Sequence, residues 1–332
     1  MRSFFKIFLF IAVSNILFFN ISLGSETNHK NFESWLLSFK SLAIKKGISE
    51  KTLEIVFKDV KFLEQVIKYD RKQPEFYEDT ITYVSKRANA LRTNKAKKLL
   101  KKNKNLFTKI ENEFGVEKEI ILSLWGIETN FGKHVGKMDI VSSLATLSFD
   151  QRRSKFFTSQ LITLLKLVDK KLIDPNKLYG SWAGAYGNFQ FMPSSIDRFA
   201  IDYDKNNKIE LVESLEDSVA SAANYISRIG WKFDEPCFYK VKLNKEINKS
   251  HINYSARKIK HKIKVSKWIK KGVVIENHEE YVKNLKAGLI MPDGKPNTPT
   301  YLVFSNYEKI LKWNRSLRFG ISVCTLANKI KS

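Results

Sequence analysis

Apolar residues recur at helical spacing through most of the chain and change to strict alternation late in it. Leu106, Ile110 and Phe114 fall four residues apart, and Gly115 follows them as a stop. Further helical patterns are predicted over about Glu117 to Asn130, over Phe156 to Val168, and over Asp217 to Ile229, the last closed by Gly230. After Trp231 the period changes. Phe238, Lys240 and Lys242 alternate with Tyr239, Val241 and Leu243, which predicts a strand. Asp293-Gly294 is a turn dipeptide, Tyr301 to Phe304 reads as a second strand, and the tail from Tyr307 to Ile330 returns to helix. The pattern predicts a mainly α protein. A helical body covers 25–231, a smaller β-containing section is inserted at 232–304, and 305–332 returns to the helical body. No internal repeat or low-complexity linker marks an appended module.

The chain has 332 residues, 43% of them hydrophobic and 13% aromatic, enough for one large domain or two modest ones and too apolar for a disordered chain. The net charge of +24 favours a polyanionic partner: nucleic acid, anionic lipid or an acidic wall polymer. Lineage bias towards Lys and Asn explains the same surplus. The lysines are scattered, as in Lys97-Lys98, Lys101-Lys102 and Lys270-Lys271, without one basic stripe carrying interleaved aromatics, so a nucleic-acid partner is not expected. Arg2 and Lys6 precede an apolar run from Ile7 to Phe19, and the small or polar Ser22, Gly24 and Ser25 follow. This is the layout of a signal peptide over 1–24, with an uncleaved anchor as the alternative, and it implies export. No cysteine near the cleavage region offers a lipid anchor. The two cysteines, Cys237 and Cys324, could pair in an oxidising compartment, but spacing cannot show it, and free buried thiols are the expectation. The five histidines are scattered, which argues against a histidine metal site.

Three segments carry candidate chemistry. In Ile121-Leu-Ser-Leu-Trp-Gly-Ile-Glu128, the residues Ile121, Leu124, Trp125 and Glu128 share one helix face, apolar except for Glu128. A carboxyl on a buried stripe loses solvation, which favours the protonated form that a general acid needs. A buried Glu satisfied by hydrogen bonds, or a helix-end Glu facing water, would share this spacing. In Gly180 to Ser195, three glycines in eight residues allow close backbone approach. Trp182, Tyr186 and Phe189 offer flat faces suited to sugar rings, and Gln190 offers donor and acceptor. A structural turn with its aromatics in the core is the alternative. Pro193 marks the start of the next helix. The third segment, Asp202-Tyr-Asp204-Lys-Asn206-Asn-Lys208 running on to Glu213, has oxygen side chains at the first, third and fifth positions of an EF-hand-like loop. Lys208 would offer its backbone carbonyl and Glu213 the closing carboxylate. Asn207 stands where glycine is usual, and Asn tolerates positive φ. A structural Ca2+ or Na+ is expected there, against the alternative of a solvated loop before a helix with Asp217 in its first turn.

Together and in this order, the segments resemble the family B lytic murein transglycosylases. The resemblance extends over Asp70-Arg-Lys-Gln-Pro-Glu-Phe76, Trp125-Gly-Ile-Glu-Thr129, Leu144-Ala-Thr-Leu147 with Arg152-Arg153, Gly180 to Ser195 and the acidic loop. It continues through Ala223-Asn-Tyr225, Gly230-Trp231 and Leu311-Lys-Trp-Asn314-Arg-Ser316, nearly the whole mature chain. It implies a lysozyme-like helical fold with a small β insertion, and Glu128 as the single catalytic glutamate. It also implies that Ser181, Gln190, Tyr225 and Asn314 hold the sugar chain, and that Asp202, Asp204, Asn206, Lys208 and Glu213 form a cation site. The chain departs from the family pattern at Phe189, where a smaller residue is usual, at Arg318, where an aromatic is commoner, and in having both cysteines.

Ordinary glycosidases place two carboxyls across the scissile bond. Asp139 and Asp150 are near Glu128 in sequence, but neither lies on an apolar helical stripe. The resemblance implies that the N-acetyl group of MurNAc supplies the second function. Glu128 would protonate the leaving oxygen and then take the proton of the C6 hydroxyl, closing a 1,6-anhydro ring without water or a cofactor. The expected partner is peptidoglycan, met by a periplasmic monomer that associates peripherally with the wall or membrane. A hydrolytic muramidase and a non-catalytic wall binder are the competing functions.

Overall fold

The computed structural model describes residues 30–72 and 78–332. The signal segment over 1–24 and the end of the Asp70 to Phe76 stretch lie outside the described residues. The chain forms two compact units, one of residues up to Lys72 with Lys137–Ala185, the other of Gln73–Gly136 with Tyr186–Ser332.

The first unit is a set of helices around aromatic side chains. A helix over 30–45 brings Phe32, Trp35 and Phe39 against Phe57, Phe62 and Phe149. The helices Ile140–Phe149 and Ser154–Asp169 pack on each other, their apolar faces buried. Asp139 caps the first of these, and Asp150 pairs with Arg71 at 2.9 Å. Both acids weighed beside Glu128 therefore have structural partners. Asp70 is almost wholly buried and pairs with Arg152 and Arg153, so two of the sequence stretches that carry the resemblance meet in one ion cluster. The unit's only regular strand pair among the described residues is β1 (Met138–Asp139) with β2 (Tyr179–Gly180).

The second unit holds the helix Lys118–Thr129 at its centre. Eight of its twelve residues are buried, Thr129 and a continuous run from Ile120 to Gly126, and not along one stripe, so burial extends beyond the face read from the sequence. Leu317–Lys331 packs along it, itself buried over most of its length. The chain leaves the preceding helix, Lys104–Phe114, through Gly115 in the left-handed region at φ 62°, as the stop signal predicts. The helix Pro193–Phe199 begins at the predicted Pro193, and Leu215–Arg228 begins and ends within two residues of the predicted bounds.

The β-containing section follows. Its strands are β3 (Phe238–Leu243), β4 (Ile252–Asn253), β5 (Ile263–Lys264), β6 (Val273–Val274), β7 (Lys286–Ile290) and β8 (Thr300–Val303). They run in the order β4-β7-β8-β3-β6, with β5 also on β7. All pairs are antiparallel except β4 with β7. Val241, Val265, Trp268, Leu289 and Leu302 form its core, and the Trp268 indole donates to Ala287 O at 2.8 Å. The helical tail expected from Tyr307 to Ile330 is present as two helices, Ser305–Trp313 and Leu317–Lys331. Asn314 is extended at φ −137°, and the Ser316 side chain caps the second helix, which breaks the run.

Cys237, just before β3, and Cys324, on the last helix, form a disulfide across 87 residues of sequence. This corrects the expectation of free thiols. The residue types fit either state; the backbone brings the two positions to a Cα separation of 6.1 Å, within bridging range.

Candidate active site

Glu128 sits in the last turn of the helix Lys118–Thr129, half-buried like Ile127 before it and next to the buried Thr129. The helix end is fixed by the Gly187-Asn188 turn. Asn188 Oδ1 accepts from the Trp125 indole at 3.1 Å, and Asn188 O accepts from Thr129 Oγ1 at 2.8 Å. Asn188 Nδ2 donates onward to Val212 O and Ser218 Oγ. Gly187 makes the approach geometrically feasible, with φ at 79° and Leu211 so close that a Cβ would lie 2.6 Å from it. Asn130 then turns the chain away in the left-handed conformation. At the other end, Glu117 accepts from the Trp231 indole and from Asp234 N–H, and burial pushes its carboxyl above the ordinary range.

Trp313 delivers the contact to Glu128 itself. Its indole N–H donates to Glu128 Oε1 at 2.8 Å. The ring is held in place by Tyr225, stacked at 4.9 Å, and by Phe191 at 5.2 Å. Tyr225 is in turn stacked on Phe199 at 4.2 Å, its hydroxyl donating to Lys312 O at 3.2 Å. Burial raises the Tyr225 phenol, with Arg198 and Ser195 acting the other way, so it stays a neutral donor near pH 7. In the sequence Trp313 is marked only by its place in the Leu311 to Ser316 stretch. Its 185-residue separation from Glu128 carries no local signal, and only its place beside Asn314 hinted at it.

The remaining sequence-predicted residues fall as follows. Gln190 lies in the left-handed region at φ 52°, and its amide nitrogen donates to Val135 O and Gly187 O, both at 3.0 Å. Asn314 caps the helix Ser305–Trp313, directly after the indole that reaches Glu128. Glu128, Gln190, Tyr225 and Asn314 thus belong to the second unit. Ser181 belongs to the first, where its hydroxyl accepts from Ala183 N–H and Ala185 N–H and closes a tight turn. Of the three aromatics proposed as sugar platforms, Tyr186 and Phe189 are 3% and 2% exposed and pack in the core, which corrects that expectation. Trp182 is half-buried and meets Tyr69 at 6.3 Å.

The departures from the family pattern each have a local role. Phe189 fills the space between Trp125 and Trp313, at 6.4 and 6.3 Å. Arg318 pairs at 2.8 Å with Asp293, the acid of the predicted Asp-Gly turn, and Asp293 also accepts from Thr80 N–H and Oγ1. The cysteines form the disulfide already described.

In the acidic loop, carboxylate oxygens of Asp202, Asp204 and Asp217 lie within 4.8 Å of one another. Asp217 is fully buried beneath the loop, accepting from Tyr203 N–H, Asp204 N–H and Glu210 N–H. Burial holds its carboxyl above the ordinary range, against the pull of those bonds. Asn206 N–H and Asn207 N–H donate to Asp202, and Lys208 N–H donates to the Asn206 side chain. Asn207 takes the positive φ, 67°, that glycine usually supplies. Three hard oxygen donors of like charge brought this close suit a cation. Asp217 was read from sequence only as a first-turn residue, because the ligand spacing of an EF-hand ends before it.

Comparison with known proteins bears on both regions. The family model described as Transglycosylase SLT domain matches residues 31–328. Membrane-bound lytic murein transglycosylase B of Escherichia coli (strain K12) is 42% identical over 119 residues, which is 36% of this chain and 33% of that protein. The match therefore spans about a third of that relative's length. SltB3 from Pseudomonas aeruginosa, in complex with NAG-NAM-pentapeptide, aligns with a TM-score of 0.83 at 29% identity, over 91% of this chain and 80% of that one. The same protein in complex with NAG-anhNAM-pentapeptide gives the same values. The lytic transglycosylase Slt35 of Escherichia coli, in complex with calcium, aligns with a TM-score of 0.75 at 24% identity, over 92% and 93% of the two chains, a likeness of fold. The mainly α, lysozyme-like architecture with a small sheet is common ground for this chain and these structures.

Proposed function

Because the chain belongs to the Transglycosylase SLT domain family, we propose that it is a peptidoglycan lytic transglycosylase. It cleaves the β-1,4 bond between MurNAc and GlcNAc and leaves a 1,6-anhydroMurNAc end. The observation that carries this reading is Glu128, half-buried at the end of a rigid helix and held by the Trp313 indole. SltB3 has been captured with both a NAG-NAM and a NAG-anhNAM pentapeptide, the two sides of such a reaction, which supports carrying the chemistry to this chain.

Glu128 protonates the glycosidic oxygen as it leaves. The substrate N-acetyl oxygen shares the positive charge developing at the anomeric carbon. The Glu128 carboxylate then accepts the C6 hydroxyl proton as that oxygen closes the anhydro ring. Trp313 orients one carboxyl oxygen throughout. In the second unit Gln190, Tyr225 and Asn314 hold the glycan; Ser181 is a candidate sugar contact of the first unit taken by itself. With its amide nitrogen engaged by backbone, Gln190 offers its amide oxygen to a sugar hydroxyl. No cofactor enters the chemistry. The loop residues Asp202, Asp204, Asn206, Lys208 and Glu213, joined by Asp217, hold a Ca2+ or Na+ that braces the start of the helix Leu215–Arg228. The protein acts as an exported, periplasmic monomer with 1–24 as its signal peptide. A catalytic body over 25–231 is completed by 305–332 around the insertion at 232–304.

The test is mass spectrometry of muropeptides released from purified sacculi. Anhydro ends are expected, and reducing ends would make the protein a hydrolytic muramidase instead. Glu128→Gln should lower turnover by roughly 10²–10⁴-fold with the fold intact. A variant that retains half the rate removes Glu128 from the mechanism.

A further inference from the structure

The lysines are scattered along the chain, but one stretch is dense in them and nearly free of acids. Between Lys240 and Lys271 there are twelve lysines and arginines against one acid, Glu246. The sheet and the helix Val265–Lys270 turn Val241, Val265 and Trp268 into the core, which leaves the intervening lysines at the surface. Lys267, Lys270 and Lys271 stand at i, i+3 and i+4 and share one side of that helix turn. Lys245 joins them. Asn244 N–H donates to Gly272 O at 2.9 Å, and a Cβ on Gly272 would lie 2.8 Å from Lys245 Cβ. Lys242 and Lys262 are paired with Glu276 and Glu308. Lys245, Lys267, Lys270 and Lys271 make no ion pair among the described residues. Like charges at helical spacing repel, and among the described residues no acid stands within ion-pair distance of these four. Beside Lys270 on the helix, Ile269 is 38% exposed.

We propose that this face, Lys245, Lys267, Lys270 and Lys271 with Ile269 at its flank, docks on a bilayer of anionic phospholipid. Lysines that keep their ammonium groups outward while their stems cover apolar surface, next to an exposed aliphatic residue, fit a headgroup layer. Phosphates take the charge and the acyl boundary takes the isoleucine. A peptidoglycan mesh offers carboxylates but no apolar layer for Ile269. The proposal is independent of the reaction proposed above, since it concerns binding without glycan.

The experiment is co-sedimentation of the purified full chain with phosphatidylglycerol-rich vesicles, with phosphatidylcholine vesicles and with purified sacculi. Wild type should sediment with the first and not the second. A quadruple variant, Lys245→Gln, Lys267→Gln, Lys270→Gln and Lys271→Gln, should lose more than roughly tenfold in vesicle partitioning. It should keep its melting temperature and its sacculus binding. The same charge loss placed on the helix Ala90–Lys102, at Lys97, Lys98, Lys101 and Lys102, should leave partitioning nearly unchanged. Ile269→Ser alone should weaken it severalfold, a readout that survives if the quadruple variant misfolds. The proposal is overturned if wild type ignores phosphatidylglycerol. It is overturned equally if the two quadruple variants lose binding alike, which means diffuse charge, or if the patch variant loses sacculi and keeps vesicles, which means a wall-binding face.

Discussion

Replacing Gly187 with alanine should damage the protein in two separable ways. The backbone at Gly187 has φ 79°, and a Cβ there would stand 2.6 Å from Leu211 Cβ and 2.6 Å from Leu211 O. The left-handed conformation costs an L-residue roughly 1–2 kcal/mol. Forcing a methyl into a filled site costs roughly 1–3 kcal/mol more. The sum, roughly 2–5 kcal/mol, lowers the melting temperature by about 5–15 °C for a unit of this size. Gly115 supplies the control. It also has positive φ, 62°, but nothing lies within 4 Å of its missing Cβ. Gly115→Ala therefore carries the backbone cost alone, reduced by roughly 0.4–1 kcal/mol from stiffening the unfolded chain. The two variants should be melted side by side by circular dichroism and assayed on sacculi at a temperature where both are folded. Displacing Leu211 also pulls on Asn188, whose N–H donates to Leu211 O at 2.7 Å and whose side chain holds Trp125. Activity should fall in Gly187→Ala and hold in Gly115→Ala. If both melt within a degree of each other, the Leu211 contact does not constrain the turn and the reasoning fails.

Three further outcomes are expected. Trp313→Phe keeps most of the aromatic stack and removes the bond to Glu128, worth about 0.5–1.5 kcal/mol to the protonated carboxyl and about 1.5–3 kcal/mol to the carboxylate left when its proton has gone to the leaving oxygen. Turnover of a soluble glycan fragment should drop roughly tenfold to a hundredfold with little change in melting, and an unchanged rate would show that the indole does not orient the carboxyl. Calcium should raise the melting temperature without altering the product, by mass action on the folded state. Identical melting in calcium and in chelator would make Asp202, Asp204 and Asp217 an empty polar turn. Replacing Cys237 and Cys324 together with serine should cost about 4 kcal/mol, given a loop closed over 87 residues. A double variant that melts like wild type would show the bridge to be neutral.

What could be read from the sequence was what depends on neighbours along the chain. Gly115 and Gly230 stop helices because a side chain penalises the left-handed turn, and Pro193 starts one because its missing N–H would be unpaired there anyway. The alternation at Phe238–Leu243 survives because the sheet buries one face and wets the other. The periodicity marks the helix bearing Glu128 but shows only one apolar stripe, since burial by Leu317–Lys331 comes from a segment nearly two hundred residues later. Trp313 and Asp217 were missed for related reasons. One acts across a long separation, and the other acts from below a loop whose spacing rule does not include it. Tyr186 and Phe189 look like platforms in sequence because an aromatic residue suits a core and a sugar equally well, and only burial decides between them.

The contact between Glu128 and Trp313 also imposes an order in time. The carboxyl emerges well before the indole as the chain is made, and the two stand 185 residues apart. Until Ser305–Trp313 has folded back, the glutamate lacks its oriented partner, and the Cys237–Cys324 bridge that ties down the following helix needs an oxidising setting to form. A chain not yet made as far as Ser305–Trp313 therefore lacks the oriented carboxyl on which the proposed chemistry depends. Under the proposed function, competence is thus the last property the chain acquires, because the carboxyl is made early and the indole that orients it is made late.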